Sequence, residues 1–291
     1  MDRILTHFHS GKNRDTYRLP DGKLLVVASD RLSTHNVVHR TSINNKGKVL
    51  TALTVFWNLE VLQKAGIPTH IVAFGQKIYE YLPPECRRIA DLHHRAIVVQ
   101  ERKPILKEFI WRWYLTGSLY KEYLKGNDPY GLNLPPGLPH MYRFSHPVFT
   151  PTEKSEDDEP CYSADVRTEY PAATARSLRA FRAISEHLLS RGVTLIDAKF
   201  EADADLMLDE WGNGDCCRMA RTSDIKEGVA PPWLDKQVAR DIAEHTWGDG
   251  EKVPLTFTSG EEFAIFEPYA VAVKLITGST LIEYTNDVLD K

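Results

Sequence analysis

The chain has 291 residues, 42% of them hydrophobic, with 40 Asp plus Glu against 36 Lys plus Arg. That composition excludes a disordered chain, and the length predicts about two domains or lobes, each able to bury its own core. A formal charge of −4 leaves no cationic excess to neutralise a nucleic-acid backbone, so a general nucleic-acid binder is excluded as well.

From the start of the chain, no apolar signal core and no run near the ~18 uninterrupted apolar residues of a membrane span is met. A soluble cytoplasmic protein with no membrane partner is expected. The β-prone residues 15–19 and 23–29 flank Pro20-Asp21-Gly22, whose turn chemistry predicts a hairpin in an antiparallel N-terminal lobe. Leu50, Leu53, Phe56, Trp57 and Val61 recur near a helical period across 49–65, and Gly66-Ile67-Pro68 stops them. A strand over 96–99, followed by charged residues and Pro104, places the lobe boundary between 1–103 and 104–291. Residues 126–158 carry six prolines, from Pro129 to Pro151, and predict a long ordered loop. Leu178, Phe181, Ile184 and Leu188 mark a helix ending at Gly192, and 193–196 a strand with Asp197 at its end. Residues 256–291 are expected to complete the second lobe. Without repeats or heptads, the class is mixed α and β in two lobes.

Four groups of residues carry candidate chemistry. Ser10-Gly11-Lys12-Asn13-Arg14-Asp15 combines a glycine that lets backbone N–H groups approach an anion with Lys12 and Arg14, two apart on an extended strand. It has neither Walker nor GxGxxG spacing, and for such a run taken alone a solvated charged turn is the commoner reading. Asp197, Lys199 and Glu201 alternate along a strand and face one way, with Asp209 and Glu210 following. Like-charged carboxylates are costly to bury without a cation, so a hard ion such as Mg²⁺ is the natural partner; a solvated strand face is the alternative. Arg218 beside Asp215, with Lys236 and Arg240 one helical turn apart, could converge on a phosphate or simply decorate a helix. Arg112 precedes Thr116-Gly117-Ser118, which could donate to an anion, cap a helix, or both. His7 and His9, His35 and His39, and His93-His94 lack the nearby ligands that zinc needs. Cys86, Cys161, Cys216 and Cys217 contain no CxxC pair and are expected to be reduced thiols, the adjacent two acting as small packing residues.

In order, these groups form a motif series that resembles the SAICAR synthetase (phosphoribosylaminoimidazole-succinocarboxamide synthase) family. The series comprises Gly11-Lys12-Asn13-Arg14-Asp15-Thr16-Tyr17, Ala28-Ser29-Asp30-Arg31-Leu32-Ser33 and Lys46-Gly47-Lys48-Val49-Leu50-Thr51. Arg112 through Ser118 with Lys121-Glu122-Tyr123 comes next, then Phe149-Thr150-Pro151-Thr152-Glu153-Lys154 and Asp197-Ala198-Lys199-Phe200-Glu201. Asp209-Glu210, Asp215-Cys216-Cys217-Arg218 and Asp235-Lys236-Gln237 complete it.

The resemblance implies an α+β fold with an ATP cleft between an antiparallel-sheet N-lobe, 1–103, and a larger C-lobe, 104–291. It implies a ligase of purine biosynthesis in which a carboxyaminoimidazole ribonucleotide takes the γ-phosphoryl of ATP and L-aspartate attacks the acyl phosphate, giving SAICAR and ADP. Its substrates are small molecules, its cofactors ATP and Mg²⁺, and its members are often oligomeric. By the resemblance Gly11, Lys12, Arg14 and Lys154 bind ATP, Glu201 and Asp209 hold Mg²⁺, and the adenine lies near 98–102. Lys199, Asp197 and Arg218 carry catalysis, while Glu108, Arg112, Ser118, Asp215, Lys236 and Arg240 bind the nucleotide substrate.

Several positions depart from the family pattern: Asn36, Trp113 after Arg112, Asp157-Asp158-Glu159, Asn213-Gly214 and Cys216-Cys217, and a short link from Glu201 to Asp209. They suggest two alternatives, a paralogue performing the same chemistry on a related carboxylate in nucleoside natural-product biosynthesis, and a non-catalytic nucleotide-binding regulator. Trp113 is expected to change the volume beside the nucleotide site.

Overall fold

The computed structural model describes residues 1–155 and 157–291. Cα packing resolves two compact units: one of Met1–Asn58, His70–Arg102 and Asp235–Lys291, the other of Leu59–Thr69 and Lys103–Leu234. The sequence division assigned 104–291 wholly to a second lobe, but 235–291 packs with the first unit. That segment's apolar run lies in a helix whose Ile265, Tyr269, Val273 and Ile276 are buried, and burial decides membership where chain order does not.

In the first unit, β1 (Thr6–Ser10), β2 (Arg14–Leu19), β3 (Lys23–Ala28), β6 (Ile71–Phe74) and β7 (Ala96–Gln100) form an antiparallel sheet in the order β1-β2-β3-β7-β6. The expected hairpin is present, Leu19 pairing with Lys23 across Asp21 and Gly22, both at positive φ. β4 (Arg31–Thr34) and β5 (Val37–Ser42) pair separately. The sheet's core gathers Tyr17, Leu25, Ile78, Leu92 and Val98. The helix expected over 49–65 is α1 (Lys46–Phe56), continued as a wider π-type turn over Trp57–Leu62. Gly47 sits where α1 crosses β3: a Cβ there would lie 2.7 Å from the Ala28 carbonyl, so no larger residue allows this approach. α2 (Leu92–Arg95) leads into β7.

The second unit's sheet is built on β8 (Lys107–Leu115) and β11 (Val193–Ala202), with β9 (Tyr142–Phe149) and β10 (Thr152–Glu153) on β8, and β12 (Met207–Leu208) and β13 (Cys217–Arg221) on β11. α3 (Gly117–Leu124) follows β8, and α4 (Ser163–Glu169) and α5 (Pro171–Ser190) precede β11. α5 buries Ala173, Ser177, Ala180, Phe181, Ile184 and Leu188, one stripe at helical spacing, and packs on β11 and β8. Each large apolar side chain there contributes about 1.5–3 kcal/mol by leaving water.

Two expectations change here. The proline-rich 126–158 is not all loop, because β9 runs through it; Pro147 is accommodated where the β8–β9 register shifts, at a position needing no ladder N–H. The strand expected at 193–196 extends to Ala202, so Asp197 lies in its middle, between β8 on one side and β13 on the other.

In the first unit, α6 (Gln237–Trp247), α7 (Ser259–Thr277) and α8 (Leu281–Tyr284) complete the chain. Among the described residues, no single helix is long and apolar enough to cross a membrane.

Candidate functional site

The second unit assembles its site from cross-strand pairing. Asp197 lies opposite Arg112 of β8 and also opposite Arg218 of β13. Its Oδ2 accepts from Arg112 Nη1 at 2.6 Å and from Arg218 Nη1 at 2.7 Å. Arg112, 3% exposed, is held further by Thr150 Oγ1 at 2.8 Å and Ser118 Oγ at 3.3 Å. Two residues along β11, Lys199 donates to Glu108 Oε1 at 2.8 Å and lies 3.5 Å from Glu201 Oε1. Thr152 donates to Glu108 Oε2 at 3.1 Å, and Lys154 donates to Glu201 Oε2. The period-two reading of Asp197, Lys199 and Glu201 therefore produces a ladder in which three carboxylates meet four cations.

Burial opposes the charge on Lys199, but Glu108, Glu201 and Asp209 outweigh it and hold its ammonium well above the ordinary lysine range. The surrounding carboxylates thus favour the ammonium form of Lys199. Asp209 reaches this group through a tight hairpin: Glu201 pairs with Leu208, and the turn is fixed by Asp203 Oδ1 accepting from the amides of Asp205 and Leu206. The short link between Glu201 and Asp209 is this hairpin. Gly117, at φ +60, faces Arg218 so closely that a Cβ would sit 2.9 Å from the guanidinium. Asp215 lies nearby in sequence to β13, its amide donating to Asn213 Oδ1 at 2.9 Å, and Asn213 in turn donates to Glu210 at 2.6 Å.

In the first unit, Gly11 and Lys12 form the turn between β1 and β2, and Arg14 opens β2; Lys12 and Arg14 do not share one extended strand as expected. The turn closes through Gly11 N–H donating to the Arg14 carbonyl at 2.7 Å. Arg31 braces it, donating to the Gly11 and Lys12 carbonyls and to both oxygens of Asp15 at 2.9 Å. Burial works against the Asp15 carboxylate's charge, but the Arg31 guanidinium prevails and lowers its pKa. Exposed Lys12 donates to Asn36 Oδ1. Lys236 and Arg240 stand at the start of α6, where Asp235 Oδ1 accepts from Gln237 N–H at 2.7 Å and Gln237 Oε1 from Arg240 at 3.0 Å.

Thus Glu108, Arg112, Ser118, Lys154, Asp197, Lys199, Glu201 and Arg218 form one bonded group, with Asp209 acting on it, while Gly11, Lys12 and Arg14 form a second and Lys236 and Arg240 a third. Thr150, Thr152 and Arg31 were given no role from sequence. Their signals were the Thr150-Pro151-Thr152 run and Arg31 within its motif, but a brace is recognisable only once its partner is close.

The departures resolve locally. Trp111 and Trp113 donate their indole N–H groups to Ser177 and Ser185 of α5, at 3.0 and 3.1 Å. They occupy the helix-covered face of β8, opposite Glu108 and Arg112, because strand side chains alternate. The expected change of volume beside the nucleotide site is corrected: Trp113 packs on Phe181, under Arg143. Cys216 and Cys217 are buried thiols with sulfurs 3.6 Å apart, and Cys217 is pushed well above its ordinary pKa by burial. They fill space as small residues. Glu156 lies outside the described residues, so the loop holding Asp157 and Asp158 is described only on either side of it.

Fold and site together define an antiparallel α+β chain with a cluster of cations braced by carboxylates. The chain belongs to the SAICAR synthetase family, the ligases of purine biosynthesis, whose model matches residues 7–254. The phosphoribosylaminoimidazole-succinocarboxamide synthase of Pichia angusta is 33% identical over 298 residues, covering 96% of this chain and 97% of that one. The enzyme of the same description from Mannheimia succiniciproducens is 34% identical over 269 residues, covering 86% and 90%. Among solved structures, SAICAR synthase from Saccharomyces cerevisiae, complexed with SAICAR, superposes with a TM-score of 0.84 at 28% identity over 96% of this chain and 97% of that one. A SAICAR synthetase (Type-2) in complex with ADP shares the fold, with a TM-score of 0.66 at 19% identity over 94% and 98%. The enzyme class is a carbon–nitrogen ligase of purine biosynthesis, and neither the paralogue nor the regulator finds support among these relatives.

Proposed function

We propose that this ligase uses ATP to phosphorylate the carboxylate of carboxyaminoimidazole ribonucleotide and joins it to L-aspartate. A carboxylate is a poor acyl donor, so the γ-phosphoryl is transferred to its oxygen, releasing ADP. The aspartate amine then attacks the acyl carbon, the C–O bond to phosphate breaks, and the amine proton leaves, giving SAICAR and inorganic phosphate. Catalysis of this kind is positioning and charge stabilisation.

The observation that carries the reading is the ladder on β11. Its guanidinium and ammonium groups are held in place by carboxylates, and anionic substrate oxygens are natural further partners for the same donors. Arg112, Ser118, Asp197, Lys199 and Arg218 would orient the imidazole carboxylate, with Glu108 fixing Lys199 and Asp215 completing the substrate group. Lys236 and Arg240 would bind the ribose phosphate. In the first unit the Gly11 turn would present Lys12 and Arg14 to ATP phosphates, and in the second unit Lys154 would serve the same ligand. The unpaired cysteine thiols match a reducing, cytoplasmic setting.

Glu201 and Asp209 suit Mg²⁺: both are hard oxygen donors, Glu201 on β11 and Asp209 directly after the β12 residue that pairs with it, and this ion takes one or two carboxylates plus water and phosphate oxygens. When bound, it would neutralise charge on the phosphates. Glu201 accepts from Lys154 and lies beside Lys199, so the same carboxylate can exchange an ammonium for a divalent ion.

The test is product formation from ATP, Mg²⁺, L-aspartate and the carboxylated nucleotide. Release of ADP with the succinocarboxamide is expected, and ADP release only with another acceptor would overturn the substrate assignment. Lys12→Ala should raise the KM for ATP with unchanged folding, and an unchanged KM and kcat would remove Lys12 from the site. Glu201→Ala with intact turnover and Mg²⁺ dependence would remove the metal assignment.

A further inference from the structure

Away from the ladder, His93 and His94 of α2 meet Asp290, which follows the turn Thr285–Leu289, within the first unit. Asp290 Oδ1 lies 2.8 Å from His93 Nε2 and 2.7 Å from His94 Nε2, and the three atoms fall within 4.8 Å of one another. We propose that His93, His94 and Asp290 form a Zn²⁺ site that clips the 285–290 segment to α2.

Three features support it. The first is geometry. In a tetrahedral zinc site with bonds of about 2.0–2.1 Å, neighbouring ligand atoms are about 3.4 Å apart. Each nitrogen–oxygen distance here needs to open by only about 0.6 Å to reach that geometry. The second is the donor set, two imidazoles and one carboxylate, which favours zinc over magnesium or calcium. The third is the far side of each ring. His93 Nδ1 lies 3.2 Å from the Tyr79 hydroxyl, and His94 Nδ1 lies 3.9 Å from Asp91, whose carboxylate Lys48 fixes at 2.7 Å. Without the ion the Asp290 carboxylate accepts from both Nε2–H groups, so binding releases those protons or moves them to Nδ1, where the Tyr79 hydroxyl and the Asp91 carboxylate lie on the far side of the rings. The histidine side chains are 14% and 15% exposed and Asp290 is 38% exposed, so the ion can enter from solvent and water can take the fourth position.

The ligands are 196 residues apart at the closest, so the ion closes a long loop that the unfolded chain would have to close at an entropic cost. Binding to the folded form alone then stabilises the first unit by mass action.

The experiment is calorimetric titration of the full chain with Zn²⁺, alongside Co²⁺ titration followed by its visible ligand-field bands. One saturable equivalent is expected, with tetrahedral Co²⁺ bands and a melting temperature that rises with zinc. His94→Gln and Asp290→Asn should each abolish that equivalent, and Asp91→Asn should weaken it about tenfold. His146→Gln, an exposed histidine on β9, should leave it unchanged. If His94→Gln disturbs folding by circular dichroism, Asp290→Asn, on the more exposed ligand, decides. No saturable binding in the unsubstituted chain, or binding that survives Asp290→Asn, overturns the proposal; the latter would place the ion on cysteines or other histidines.

Discussion

Asp197→Asn removes one negative charge from between two guanidiniums while preserving volume. Arg112 and Arg218 each donate to the same Oδ2, and the Arg112 and Asp197 side chains are 4% and 7% exposed. At an effective dielectric near 20, an ion pair with charges about 4 Å apart contributes about 4 kcal/mol before desolvation. The asparagine can still accept one hydrogen bond, but it removes the carboxylate charge that both guanidiniums share. Breaking a buried pair in this way costs about 3–5 kcal/mol. With an m-value of about 2 kcal/mol/M, the urea midpoint of the second unit should fall by about 1.5 M or more. Urea unfolding followed by tryptophan fluorescence measures it, because Trp111 and Trp113 lie on the neighbouring strand. Adding Arg218→Met to Asp197→Asn should recover part of the loss, since it removes one of the two guanidiniums that shared the carboxylate, so the double variant should be less than additive. A midpoint for Asp197→Asn indistinguishable from that of Lys64→Gln, which breaks only an exposed pair with Glu60, would refute the reasoning.

Gly117→Ala should destabilise by about 1–2 kcal/mol, because φ is +60 there and the new Cβ meets Arg218. If Arg218 orients substrate, kcat/KM should also fall about 10-fold to 100-fold, and steady-state kinetics at matched folded fraction will show it. His39 is buried, with Nδ1 accepting from Leu255 N–H at 3.2 Å and Nε2 beside Thr34 Oγ1 at 2.8 Å. Burial and then His35 lower its pKa below the ordinary 6.5. A depressed folded value means stability is present above pH 6.5 and is lost as pH falls through that folded value. His39→Gln should therefore flatten the decline of the urea midpoint between about pH 7.5 and about pH 5.5, and an unchanged slope would count against the assignment. Thr258→Ala removes a capping box at α7, in which Thr258 Oγ1 accepts from Glu261 N–H and Glu261 accepts from Thr258 N–H. A loss of about 1 kcal/mol by chemical denaturation is expected.

Local chemistry made much of this protein legible without coordinates. The Pro20-Asp21-Gly22 turn, the helical spacing of Leu178 through Leu188, and the alternation of Asp197, Lys199 and Glu201 follow from steric and periodic rules acting over a few residues. The motif series pointed to the family for the same reason: each anion-handling group is compact in sequence. Tertiary structure decided everything that depends on which segments meet. Only strand pairing puts Arg112 and Arg218 on opposite flanks of Asp197, and only sheet alternation turns Trp113 away toward α5. Pro147 could enter a strand because the register shift spared it a ladder hydrogen bond, and residues 235–291 joined the first unit because their apolar faces are buried there. His93-His94 lacked a third ligand within reach along the chain; folding supplied Asp290 from 196 residues away. Short-range preferences are written into neighbouring residues, whereas long-range partners are fixed by the burial and hydrogen bonding of the whole chain.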